Sequence, residues 1–208
     1  MSDINLWIVL GAAFLGGLIP GPGMLAVAGT AMMRGRRYGF AVAYGMTAGA
    51  LVQATLAGLG MGAVLLSNQW LFDALKYVGA AYLGWLGWRS ARAAMRPDHA
   101  MSTKDVGTNS LWVSAVRGAL IHITNPKALI FWGSIFAIGL KPGAPPVAML
   151  WVIAFSMMVN VFLMTTFALV FSKPGMMAGY VRFRRWIEGT FAAFFGGAAI
   201  YLVTSREQ

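Results

Sequence analysis

The sequence predicts an all-α integral membrane protein of about six transmembrane helices, built as two inverted three-helix repeats, with helices 1 and 4 broken at proline-containing motifs. Three observations carry that expectation. Of the 208 residues, 59% are hydrophobic and 11% are charged, against roughly 25% charged in an average soluble domain. Long uncharged stretches run from Ile4 to Met33, Tyr38 to Leu66, Tyr77 to Trp88, Ala128 to Leu140 and Pro142 to Ser172, and several exceed the ~20 residues that cross a bilayer core. Prolines interrupt the first span at Pro20-Gly21-Pro22-Gly23 and the fourth at Asn125-Pro126-Lys127.

Taken in order, the spans read as 4–33, 40–66, 70–88, 112–140, 146–171 and 187–204. The first resembles a secretory leader but has no basic start, continues past Pro20 and is followed by further spans, so it reads as a retained helix. The others read as helices because a chain in lipid must satisfy its backbone polar groups internally. The alternation of polar and apolar residues that a β-barrel would need is not visible.

The formal charge of +10 sits in short segments between apolar runs, a distribution that argues for membrane topology and against nucleic acid as a partner. With six spans, Arg34, Arg36, Arg37, Arg89, Arg92, Arg96, Lys104, Arg117, Lys173, Arg182, Arg184 and Arg185 fall on one side, and Lys76, Lys141 and Arg206 on the other. Because basic residues are retained in the cytoplasm, both termini are expected in the periplasm. The polar segment 90–111 then reads as a cytoplasmic linker between repeats 1–89 and 112–208. Gly79-Ala80-Ala81-Tyr82-Leu83 resembles Gly197-Ala198-Ala199-Ile200-Tyr201-Leu202, as repeats would require. An odd number of spans per repeat inverts one relative to the other, an arrangement common in secondary transporters.

The two breaks define the candidate site. No continuous helix keeps its hydrogen bonds through Pro20-Gly21-Pro22-Gly23. Gly21 is suited to cap a new helix whose first residue is Pro22, where a missing N–H has no partner to lose. Asn125 and Pro126 repeat that logic, with an asparagine side chain as the cap. At ~1.5 Å per residue, Gly23 lies about 16 Å from Arg34 and Asn125 about 12 Å from Arg117, so both breaks approach the middle of a ~30 Å core. The new half-helices run in opposite directions, and both positive ends point inward. Free amides and partial positive charge at Gly21, Pro22, Gly23, Asn125, Pro126 and Lys127 suit a carboxylate. Carbonyls released around Leu18, Ile19 and Thr124 suit an ammonium group, and together they describe a site for an amino acid. Kinking for packing alone is the competing reading of both prolines.

Lys127 is an intramembrane cation and is expected to face the cavity, unless it snorkels along the helix to the interface. No carboxylate falls inside a span, which disfavours a cationic substrate and leaves the coupling acid unassigned. His122, one turn before Pro126, is a candidate proton relay or a structural hydrogen-bonding group. Asn160 is weighted toward substrate and Gln53 toward either substrate or helix tethering, while Gly45-Met46-Thr47-Ala48-Gly49 reads as a small-residue packing surface. Cysteine is absent, so neither disulfides nor thiolate chemistry enter. No cofactor is implied. Divalent-metal transport would need carboxylate, imidazole or thiolate ligands, and the spans offer essentially His122. An enzyme would need more than His99 and His122, which have no accompanying nucleophile or paired acid.

Three blocks resemble the lysine exporter and threonine/homoserine efflux (LysE/RhtB) superfamily of bacterial inner-membrane amino-acid exporters. They are Pro20-Gly21-Pro22-Gly23 followed by Arg34-Gly35-Arg36-Arg37 and Gly39, Gly45 and Gly49; the run Leu75 to Gly84; and Asn125-Pro126-Lys127-Ala128 with Phe131. Their order and spacing cover nearly the whole chain. The sequence departs from the pattern at Ala137-Ile138-Gly139, where many members carry Pro-Gln-Phe, and at Ala50, where some carry an acid. The resemblance implies an inner-membrane secondary transporter, not an enzyme, exporting a neutral amino acid or close derivative of the threonine, homoserine or homoserine-lactone type, driven by the proton motive force. A transporter or channel for another small solute remains the alternative. The residues leave a homo-oligomer open.

Overall fold

The computed structural model describes residues 3–19, 21–67, 69–95, 105–141, 144–173 and 175–204, without the side chains of residues 61–76, 126, 127, 177 and 202. Eight helices account for nearly all of it: α1 (Leu6–Leu18), α2 (Pro22–Arg34), α3 (Arg36–Ser67), α4 (Gln69–Ala94), α5 (Leu111–Ile123), α6 (Pro126–Gly139), α7 (Val147–Val170) and α8 (Met176–Thr204). The order is two short helices then two long ones, twice over. Span one becomes α1 and α2, bent by 55° at the break. Span four becomes α5 and α6, separated by Thr124 and Asn125.

Among the described residues, α7 and the stretch Arg36–Gly60 of α3 are each long and apolar enough to cross a membrane, and the bent pair α1 and α2 makes a third such span if counted as one. Leu111–Ile123 and Ala128–Gly139 are shorter apolar helices. Among the same residues the extended pairing is one isolated antiparallel bridge, Ile4 with Leu140, where the Asn5 N–H donates to the Gly139 carbonyl at 2.8 Å and the Lys141 N–H to the Asp3 carbonyl at 3.0 Å. This hook ties the start of α1 to the end of α6.

Several helix ends differ from the boundaries expected from charge. Gly35 takes φ 83°, a left-handed conformation that glycine adopts at little cost, so the chain turns in one residue and α3 begins at Arg36 rather than at residue 40. Helix α4 runs on to Ala94 because Arg89 and Arg92 lie along it, stacked on Trp85 and Trp88. The largest difference is α8, expected from residue 187 but beginning at Met176. Its arginines are not a loop: Arg184 donates to the Ala93 carbonyl and Arg185 to the Ala94 carbonyl, both at 3.0 Å. Those bonds satisfy the open carbonyl end of α4, and Arg184 and Glu188 are buried there.

The helices pack most extensively as α4 on α8 and α3 on α5. In the second pair the backbones nearly touch. A Cβ on Gly45 would collide with the Ala115 carbonyl, one on Gly49 with the Ala119 carbonyl, and one on Gly118 with the Val42 carbonyl. This is the packing role expected for the small residues of α3, and it suits lipid, where close van der Waals approach rather than water exclusion joins helices. Two apolar clusters follow. One gathers Val9, Leu83, Trp132, Phe136, Phe191 and Phe195 from α1, α4, α6 and α8; the other gathers Met24, Val27, Val42, Met46, Met164 and Phe167 from α2, α3 and α7.

Residues 105–109 lie as a strap across the C-terminal end of α2. Arg34 pairs with Asp105 and reaches Asn109 at 3.3 Å, and Thr30 accepts from the Val106 N–H at 3.2 Å. Burial pushes the Asp105 carboxyl up, but the Arg34 guanidinium and the Gly107 N–H outweigh it and hold the group below the usual carboxylate range. A depressed value means the pair contributes fully at neutral pH, and its contribution is lost as pH falls through that value. Asp105→Asn is therefore expected to raise hydrogen exchange at Val106 and Gly107 a few-fold at neutral pH, in line with the ~0–1 kcal/mol worth of an exposed pair. Wild type should reach the same exchange, corrected for intrinsic rates, only on acidification.

Candidate functional site: a cavity between two helix breaks

Gly21 is extended, with φ −142° and ψ 177°, and Pro22 is the first residue of α2, as the proline rules require. The Leu25 N–H closes the first turn on the Gly21 carbonyl at 3.0 Å. Pro20 lies outside the described residues. At the second break the Asn125 N–H turns back to the His122 carbonyl at 3.0 Å and the Ala128 N–H bonds the Asn125 carbonyl at 3.1 Å. Here the interruption has a partner that the sequence did not reveal. The Gln53 side-chain amide, buried in α3, donates to the Ile123 carbonyl at 3.0 Å and the Asn125 carbonyl at 3.2 Å. It takes up backbone acceptors on either side of Thr124, the region expected to offer carbonyls to an ammonium group.

Both breaks open on one cavity of about 140 Å³, roughly ten times the ~10–15 Å³ that a single water needs. Of the residues singled out from the sequence, Gly21, Pro22, Gly23, His122, Asn125 and Asn160 line it. Pro126 and Lys127 open α6 directly behind Asn125, but their side chains lie outside the described residues, so the expectation that Lys127 faces the cavity falls there too. The N-terminal ends of α2 and α6 thus both border the same space, each bringing amides not used within its helix and the partial positive charge of a helix start.

Ile19, named from the sequence for its carbonyl, also lines the cavity, whereas Ser156 was not anticipated. Ser156 stands one turn before Asn160 on α7 and lines the cavity with it. Its i, i+4 spacing from Asn160 is the signal that would have found it. The Ser156 Oγ and His122 Nε2 atoms are buried with no hydrogen-bond partner among the described residues. Asn160 is oriented by Thr47, whose single hydroxyl hydrogen is shared between the Asn160 Oδ1 at 3.0 Å and the Ala43 carbonyl at 3.1 Å. Ala50 is buried on the cavity wall. Among the described residues no carboxylate lines the space, and no cluster of three or more metal-ligating side chains exists.

An all-helical apolar bundle whose broken helices meet on one largely apolar cavity with a few polar groups in its wall is the class of polytopic membrane transport proteins. Comparison with known sequences is specific: the LysE type translocator pattern matches residues 14–206, and the chain belongs to that family. A threonine efflux protein of Salmonella typhi is 31% identical over 90% of this chain and 91% of its own length. The threonine efflux protein of Escherichia coli (strain K12) is 30% identical over the same shares. A leucine efflux protein of Enterobacter sp. (strain 638) is 31% identical over 64% of this chain and 62% of its own. No solved structure matches the chain.

Proposed function

We propose that this protein is a secondary transporter of the bacterial inner membrane that exports a neutral amino acid or a close derivative. The observation that carries the reading is the pair of helix N-termini, at Pro22 and Pro126, bordering one cavity. Two such ends suit the carboxylate of an amino acid. The unpartnered Ser156 and His122 atoms and the Asn160 amide supply polar contacts for its remainder. A cationic side chain would lack a counter-ion among the described lining residues. The relatives named for threonine and leucine efflux agree with a neutral substrate.

In this reading α1 with α2, and α5 with α6, are each one broken span, which together with α3, α4, α7 and α8 makes six. The halves 1–89 and 112–208 are inverted repeats joined by a cytoplasmic linker, with both termini in the periplasm. Support comes from the repeated short, short, long, long helix order and from reciprocal packing, in which α1 on α7 answers α5 on α3 and α2 on α7 answers α6 on α3. Rocking of the halves about the paired breaks would expose the cavity alternately to the two sides. Export is driven by the proton motive force, with His122 as the relay.

The test loads labelled neutral amino acids into vesicles and follows their efflux. Wild type is expected to release at least one of them when a proton gradient is imposed, and Lys127→Ala to lose most of that rate through weaker carboxylate attraction. No efflux of any amino acid by wild type overturns the proposal, whereas unchanged efflux in Lys127→Ala removes only the role of that lysine.

A further inference from the structure

The C-terminal end of α4 and the stretch of α8 packed on it carry a group of cations that neither the cavity nor the family relationship uses. Arg89 lies 5.4 Å from the ring centroid of Trp85, and Arg92 lies 5.2 Å from that of Trp88. These four residues share the exposed side of α4. Across the pair, Arg182 and Arg185 are exposed on α8 and Trp186 is 79% exposed. Of the described carboxylates, Asp105 is paired with Arg34, Asp3 lies at the hook between α1 and α6, and Glu188 is buried rather than exposed at this surface.

A helix C-terminus carries partial negative charge and ordinarily repels an anion. At α4 that charge is met, because the Ala93 and Ala94 carbonyls accept from Arg184 and Arg185. Stacking on tryptophan restricts Arg89 and Arg92 while leaving guanidinium N–H groups to donate outward. Leading away from these cations are exposed apolar side chains, Val78, Trp85 and Trp88 on α4 and Trp186 and Ile200 on α8. A free phosphate matches the cations but not the apolar strip. Tryptophan beside arginine at the end of such a strip is the pattern of a bilayer interface.

We propose that this α4–α8 face is a binding site for an anionic phospholipid, with the headgroup phosphate held by Arg89, Arg92 and Arg182 and the acyl chains lying along the exposed strip. The inference rests on the membrane reading alone and is independent of what the cavity carries.

Binding is tested on the full chain in detergent micelles by native mass spectrometry, with phosphatidylglycerol and phosphatidylcholine of matched acyl chains competing. Wild type is expected to prefer phosphatidylglycerol, and each guanidinium removed should reduce that preference roughly fivefold. Arg89→Gln with Arg92→Gln is the principal variant. Arg182→Gln, a surface change that breaks no hydrogen bond within the described residues, is the second should the double variant misfold. Arg36→Gln with Arg37→Gln, exposed cations on α3, should leave the preference intact. Equal preference in wild type and the α4 or α8 variants overturns the site, as does an equal drop in the α3 control. Displacement of the lipid by equimolar inorganic phosphate would also overturn it, since an anion alone would then satisfy the arginines.

Discussion

Gly45→Val is expected to be the most destabilising single substitution in the α3–α5 pair. The obstacle is the Ala115 backbone, which cannot rotate aside as a side-chain tip can. Inserting methylenes into a packed core costs about 1–3 kcal/mol, and a clash with main chain belongs at or above the top of that range. Replacing a helical glycine by valine returns only a few tenths of a kcal/mol, because valine is itself a poor helix former, so the net effect remains unfavourable. Gly118→Val, against the Val42 backbone, should behave alike, while Gly133→Ala, with open space around its Cβ position, should be neutral or slightly stabilising. Thermal unfolding in one detergent ranks the three. A Gly45→Val protein that melts with wild type would show that α3 and α5 do not approach this closely.

Gln53→Leu should produce the largest loss of transport without loss of the fold. The substitution keeps volume but removes the donor to the Ile123 and Asn125 carbonyls, at a residue only 4% exposed. The Asn125 carbonyl keeps the Ala128 N–H, but the Ile123 carbonyl loses the Gln53 donor, at a cost of about 1–3 kcal/mol for a part-buried acceptor left unpaired, and the chain can recover that energy by shifting Asn125 and the start of α6. That response moves the start of α6 away from the cavity. A displacement worth ~1.4 kcal/mol in binding is tenfold, so efflux from loaded vesicles should fall at least about that much. Gln53→Glu, unable to donate when ionised, should fail in the same direction. If efflux survives Gln53→Leu while the variant remains folded, the break does not depend on this amide. Loss of efflux together with a collapse in thermal stability would instead mark Gln53 as a general tether.

Both predictions turn on residues whose importance the sequence expressed unequally. Gly45 and Gly49 were legible as a packing surface because small residues at helical spacing have few other uses in lipid. Gln53 was legible as an amide at membrane depth, but its partners lie 70 and 72 residues away. The same distance problem produced the clearest boundary error. Arg184 and Arg185 read as loop charges that should precede a helix, yet they sit within α8, because the carbonyls that accept from them belong to residues 91 positions earlier.

The sequence by itself determined that the chain is helical and apolar, that it breaks at Pro22 and Pro126, and that the helices beginning there start with unused amides. Those are covalent matters: proline has no N–H, and an apolar run in lipid has no better way to satisfy its backbone. The tertiary structure alone decided that the two breaks share one cavity, that Ser156 joins Asn160 in its wall, and that Gln53 occupies carbonyls at the second break. Those depend on which helix faces which, set by near-contact of glycine surfaces on α3 and α5 and by hydrogen bonds between residues far apart in the chain.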